Sequence, residues 1–153
     1  MIRRIDDNIA HYAPIIWNAE ELAPGWYIAG SHVWTPDFEA FESFLHNCGE
    51  IYGLFDSDGL AAVLYLEFTA PDAVNIHISV LRKIDRDELI NFLVEMKERK
   101  AREGVKFMQG WVLEKNRGMM AIAEAVGFRR TGARMDFGEY NGRVLRWNQV
   151  RAS

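Results

Sequence analysis

The sequence predicts a mixed α+β (mixed α/β) fold with one sheet flanked by helices, and three observations carry that reading. Several runs alternate apolar and polar residues with a period of two. Turn-forming sequences join some of these runs directly, and segments with helical spacing fall between the others. The chain of 153 residues is 49% apolar and 26% charged, which suits one globular domain spanning 1–153. A chain of this length buries enough surface to need no disulfide, and its lone Cys48 can form none internally. The first residues run straight into Asp6, Asp7 and Asn8 rather than into a secretory signal. The longest apolar stretches fall short of the ~20 residues that span a bilayer, so the expectation is a soluble, cytoplasmic protein with no membrane partner.

Met1–Ile5 reads as a short strand. Asp6-Asp7-Asn8 offers a helix cap before Ile9, Tyr12, Ile16 and Trp17, and Pro14 is expected to divide that helix into two pieces. Leu22–Trp34 carries Pro24, Gly25 and Gly30 with three aromatics, which suggests an ordered loop. Thr35-Pro36-Asp37 starts a helix, with a capping hydroxyl followed by Pro at the first helical position. Phe38, Phe41, Phe44 and Leu45 then share one face, and the helix ends near Cys48-Gly49.

Glu50–Phe55 and Leu60–Phe68 flank Asp56-Ser57-Asp58-Gly59, a hairpin signal. After Ala70-Pro71-Asp72, the strand Val74–Leu81 places Ile76, Ile78 and Val80 on one face and Asn75, His77 and Ser79 on the other. Leu89, Phe92, Leu93 and Met96 mark the clearest helix, supported by Glu95→Arg99 and Glu98→Arg102 pairs and stopped by Gly104. Val105–Leu113 reads as an apolar strand covered on both faces. Asn116 caps a short helix with Met119, Ile122, Ala123 and Val126 inward, closed by Gly127. Phe128–Tyr140 and Arg143–Val150 form a terminal hairpin about Asn141-Gly142.

Charge divides the chain unevenly. Residues 5–81 contain no Lys or Arg and carry a net charge of −12, whereas residues 82–153 carry +6. An acidic surface suits cations and a basic one suits anions. Arg129, Arg130, Arg134, Arg143 and Arg146 make the terminal hairpin basic. No stacking motif accompanies them in this acidic protein, so no nucleic-acid partner is expected. His46 and Cys48 have no second ligand pair nearby, and no metal is expected.

The element order, the strand Asn75–Leu81 before a long amphipathic helix, and the spacing Asn116-(ten residues)-Gly127-Phe128 after a strand together resemble the GNAT N-acetyltransferase superfamily. The resemblance covers the whole chain in topology and about a third of it in motif. It implies the acyl-CoA N-acyltransferase fold: a central, mostly antiparallel sheet with one splayed parallel pair, the strands ending at Leu81 and beginning at Val105. It also implies acetyl transfer from acetyl-CoA to a cationic primary amine. Backbone groups of Ser79, Val80 and Leu81, together with Asn116, would receive the pantetheine arm.

Two positions depart from the family pattern. The glycines that expose backbone N–H groups to the diphosphate are replaced by Glu88 and Ile90, and Asp85 stands at the family's Arg position. Only Arg82, Lys83 and Arg86 could compensate. The family's general-acid Tyr, seven residues after the Asn, is Ala123, which has no proton to give. These departures imply an alternative: a catalytically inactive GNAT-fold interaction or assembly protein that does not bind acetyl-CoA.

An ammonium substrate must lose a proton before attack. His77 and Glu67 are the candidate bases, since an imidazole ordinarily titrates near ~6.5. Trp26, Trp34 and Trp111 are the candidate substrate-binding aromatics, because an aromatic face attracts a cation. The acceptor could be a small molecule or a peptide amine, and a protein partner is a further expectation.

Overall fold

A computed structural model describes residues 1–22, 37–114, 116–137 and 140–148. The elements are β1 (Ile2–Arg4), a 3-10 turn (Asp6–Asn8), α1 (Ile9–Leu22), α2 (Phe38–Asn47), β2 (Glu50–Asp56), β3 (Gly59–Ala70), β4 (Ala73–Val80), α3 (Arg86–Arg102), β5 (Phe107–Leu113), α4 (Arg117–Val126), β6 (Arg129–Phe137) and β7 (Tyr140–Asn148). In hydrogen-bonding order the strands run β1-β2-β3-β4-β5-β7-β6. Tertiary contacts group the chain into two compact units, Met1–Glu67 with His77–Ile84 and Phe68–Ile76 with Asp85–Ser153, and β3 and β4 contribute to both.

The first unit is built on an apolar core. Ile9, Ala13 and Ile16 of α1 recur at helical spacing and are buried with Phe41 and Leu45 of α2 and Ile51 and Val63 of the sheet. Contrary to expectation, α1 runs unbroken through Pro14. Pro14 removes the donor that would meet the Ala10 carbonyl, but Ala10 and Pro14 are both exposed, so water can take that carbonyl's bond. α2 also starts differently. Asp37 rather than Thr35 is its cap, its carboxylate accepting from the Ala40 N–H at 2.8 Å. β2 and β3 form the expected hairpin, with Asp56 opposite Gly59 and the Gly59 φ at +104°, a conformation that favours glycine. The Trp26 and Trp34 expectations, and the loop that carries them, lie outside the described residues.

The second unit holds α3, α4 and the strand pairs β4–β5, β5–β7 and β6–β7. β4 and β5 are parallel, pairing Ala73, Val74 and Asn75 with Phe107, Met108 and Gln109; the ladder ends there although both strands continue. The Asp72 carbonyl accepts the N–H groups of Lys106 and Phe107 at 2.8 and 3.1 Å, fixing where β5 begins. α3 buries Leu89, Phe92 and Met96 and keeps the Glu95–Arg99 ion pair at 2.8 Å. Its Lys100 is 3% exposed, its ammonium 2.7 Å from Glu103, a burial that apolar spacing does not foretell.

α4 buries Met120, Ile122 and Val126, so Met120 takes the inward position expected of Met119. Gly127 closes α4 with φ at +112°. β5 is not covered on both faces: Met108 and Val112 are buried, whereas Phe107 is 38% exposed. The terminal hairpin does not turn at Asn141-Gly142. Phe137 pairs with Tyr140, and Gly142 lies inside β7 with Met135 on one side and Leu113 on the other. Two flanking ladders outweigh a local turn preference.

Candidate active site

On β3, Tyr65 and Glu67 are two residues apart; on β4, His77 and Ser79 are two apart. Side chains two apart on a strand share a face, and the hairpin through Pro71-Asp72 brings the two pairs together. The Tyr65 and Ser79 hydroxyls are 2.6 Å apart and buried. His77 Nε2 is hydrogen-bonded to Glu67 Oε1. Phe44 of α2 stands edge-on to the His77 ring at 5.7 Å and lies 6.0 Å from the Tyr65 ring. Packing on one side and a carboxylate on the other therefore hold the imidazole in place.

The His77 side chain is 13% exposed and that of Glu67 39%, so the pair is reachable from solvent at its carboxylate end. The hydrogen bond from His77 pulls the Glu67 carboxyl below its ordinary value, against a smaller opposing effect of burial. Ionised Glu67 accepts the Nε2–H, and that tautomer leaves the ring's lone pair on Nδ1. The arrangement can take a proton and stabilise the resulting imidazolium. Nearby Cys48 behaves oppositely: burial, with the Glu67 and Asp6 charges, pushes its thiol up to about 12, so it is no nucleophile.

Spermidine N-acetyltransferase SpeG, as a chimera from Vibrio cholerae and hSSAT, matches over 99% of this chain and 98% of its own at 12% identity, with a TM-score of 0.73. Ribosomal-protein-S5-alanine acetyltransferase from Vibrio fischeri matches over 97% and 92% at 12% identity, with a TM-score of 0.70. Campylobacter jejuni N-acetyltransferase PseH, in complex with acetyl coenzyme A, matches over 97% and 98% at 10% identity, with a TM-score of 0.65. The chain has the GNAT fold. No family model and no curated protein matches the sequence, so the likeness is one of geometry.

Within the GNAT fold, the expected cofactor residues divide between the two units. In the first, Ser79 spends its hydroxyl on Tyr65, Val80 ends β4, and the Leu81 N–H donates to the Ala61 carbonyl at 2.9 Å. The Arg82 guanidinium is paired with Asp56 and also donates to the Gly59 carbonyl at 3.3 Å. Lys83 is exposed. In the second unit, Arg86 opens α3 and is exposed. The Asp85 carboxylate caps that helix by accepting from the Asp87 N–H at 3.2 Å, and Asp87 and Glu88 fill its first turn. The helix end that receives a diphosphate in the resemblance thus holds three carboxylates of its own. The glycine cradle of backbone N–H groups that the resemblance implies is absent from the N-terminal end of α3, where Asp87, Glu88 and Ile90 stand.

Asn116 caps α4, its carbonyl oxygen accepting from the Met119 N–H at 3.1 Å. Trp111 is half-buried in β5, opposite Val144. Sequence reasoning singled out His77 and Glu67 separately. It missed their pairing, the Tyr65–Ser79 contact beside them and the Phe44 wall. The two-residue spacings on either side of one hairpin were the available signal.

Proposed function

We propose that this protein is a cytoplasmic N-acetyltransferase that moves an acetyl group from acetyl-CoA to a primary amine, with Glu67 and His77 as its base. The single observation that supports this reading is the His77–Glu67 hydrogen bond at a half-exposed position on the GNAT fold. Acetyl-CoA supplies the acetyl thioester; the chain's own residues prepare the amine. The pair takes a proton from the substrate ammonium at its solvent-reachable Glu67 end, and the His77 ring holds that carboxylate in place. The carboxylate also attracts a cationic acceptor. Arg86 at the start of α3 offers the diphosphate an exposed side chain in place of backbone N–H groups, and that side chain must be ordered on binding, so affinity is weak and falls as salt rises.

The named acceptors of the neighbours range from a polyamine to an alanine of a ribosomal protein, so the fold alone does not choose an acceptor. The test is a coenzyme A release assay with purified protein, acetyl-CoA and a panel of polyamines and peptide N-termini. Amine-dependent release that is lost in Glu67→Gln supports the reading. A second reading has its own observation: the Asp85 cap and the acids beside it suit a GNAT-fold protein that serves in assembly without acetyl-CoA. Calorimetry with acetyl-CoA separates the two, since the assembly reading requires no binding at any salt concentration.

A further inference from the structure

The bond between His77 and Glu67 does not by itself set the plane of the imidazole. Rotation about the Cβ–Cγ bond of a histidine is broad and roughly two-fold. A half-turn of the ring puts Cε1 where Nε2 stands, and the Glu67 carboxylate then loses its donor. Something beside the ring must hold it.

Phe44 of α2 meets the imidazole there. The two ring centres are 5.7 Å apart with an interplanar angle of 85°, the edge-to-face geometry that aromatic pairs prefer. Phe44 is in turn backed by Tyr65, whose ring centre lies 6.0 Å away. Tyr65 is fully buried, and its hydroxyl is 2.6 Å from that of buried Ser79. Turning Tyr65 would break this hydrogen bond and leave two buried hydroxyls unsatisfied. Tyr65, Phe44 and His77 thus form a row of packed rings that runs from a fixed hydroxyl pair to the Glu67 carboxylate. All five residues belong to the first unit.

The place of Phe44 on its helix separates this contact from ordinary core packing. Phe41 and Leu45 are the α2 side chains buried in the apolar core. Phe44 is only half-buried at the flank of that stripe, where it meets His77.

We propose that Phe44 is a positioning residue for the Glu67–His77 pair: it holds the imidazole in the plane that keeps Nε2–H on the Glu67 carboxylate, and so keeps that carboxylate aimed at the acceptor amine. The second half of this statement rests on the acetyl-transfer reading; the first half does not.

The two halves are tested by different measurements on the whole chain. Long-range proton–nitrogen spectra report which ring nitrogen carries the proton, and are recorded in mild alkali, where an imidazole is ordinarily neutral. In the unsubstituted protein His77 shows the Nε2–H tautomer alone, its signals assigned by their loss in His77→Gln. Phe44→Leu keeps an apolar side chain but removes the ring, and the His77 signals move toward the average of two exchanging tautomers. Phe44→Met serves the same purpose if Phe44→Leu does not fold. Phe41→Leu is the control: it lowers stability more, because Phe41 is fully buried, and leaves the His77 signals unchanged.

In the coenzyme A release assay, Phe44→Leu lowers kcat roughly 10- to 100-fold with the KM for acetyl-CoA unchanged, whereas Phe41→Leu keeps its kcat. The proposal is overturned if Phe44→Leu retains the pure Nε2–H tautomer, if its kcat is unchanged, or if Phe41→Leu matches it in both measurements. If the unsubstituted protein releases no coenzyme A with any amine, the acetyl-transfer reading falls instead, and the spectra still decide whether Phe44 fixes the ring.

Discussion

The two units handle charge differently. In the first, acids are matched inside the fold: Asp6 accepts from Arg4 and from the Ile51 N–H, Asp56 from Arg82, and Glu67 from His77. In the second, Arg99, Lys100 and Arg130 are paired with Glu95, Glu103 and Glu124, whereas Lys97 donates to the Val126 carbonyl and lies over the Trp147 ring. The −12 segment and the +6 segment therefore differ in more than sign. Pairing turns a charge into structure and, at His77, into a candidate base.

The largest effect that could break this comparison is on rate. His77→Ala should lower amine acetylation by roughly 100- to 10,000-fold, the usual contribution of a general base, while circular dichroism stays unchanged. A variant that keeps its rate would reduce the Glu67–His77 pair to a structural contact. Next comes packing. Phe41 is fully buried in the first unit, and Phe41→Ala should cost about 3–5 kcal/mol in urea denaturation. A loss below 1 kcal/mol would mean that the α1–α2 layer is not the core described above.

A smaller effect probes the second unit. Gly127→Ala would place a Cβ 2.8 Å from Lys97 Nζ at a φ of +112°. The backbone strain alone should cost about 1–2 kcal/mol. Urea denaturation would detect that cost, and an unchanged stability would mean that Gly127 is not held at a positive φ.

The smallest effect is in the pH dependence of local stability, which rises with pH in both units but does so in different pH windows. Bonding to His77 holds Glu67 below its ordinary value of 4.5. For Asp6, burial pushes upward, but the Arg4 and Ile51 bonds outweigh it and hold the group below 3.8. A carboxyl with a depressed folded pKa stabilises above its unfolded pKa, and that stability is lost as pH falls through the folded value. Lys97 is shifted below 10.5 by burial, so the fold gains stability from it as pH rises between its folded and unfolded values. Amide exchange should therefore show β2 losing protection in acid and α3 gaining it in mild alkali. Equal acid sensitivity in the two units would remove the distinction drawn here.

Much of the fold was legible because periodicity and turn chemistry are local. The alternation of Asn75, His77 and Ser79, the Asp56–Gly59 turn and the apolar stripe of α3 identify their elements without reference to any neighbour. Boundaries were less secure. A Thr-Pro-Asp start offers two caps, and only the geometry of the Ala40 N–H chooses Asp37. The candidate site was half legible. His77 and Glu67 are the right residue types on strands, but nothing local states that they touch.

What the sequence by itself determined was which segments are helices and strands, their order, and an uneven distribution of charge. Tertiary structure decided the rest, because each outcome depends on partners distant in the chain. The strand pairing on both sides of Gly142 placed it within β7, against its preference for a turn. The exposure of Ala10 and Pro14 left α1 intact. The β3–β4 hairpin joined Glu67 to His77 and Tyr65 to Ser79, making a candidate base and its support from four residues that separately suggest little. A hydrogen bond requires both groups within about 3 Å, and only strand register can bring them there.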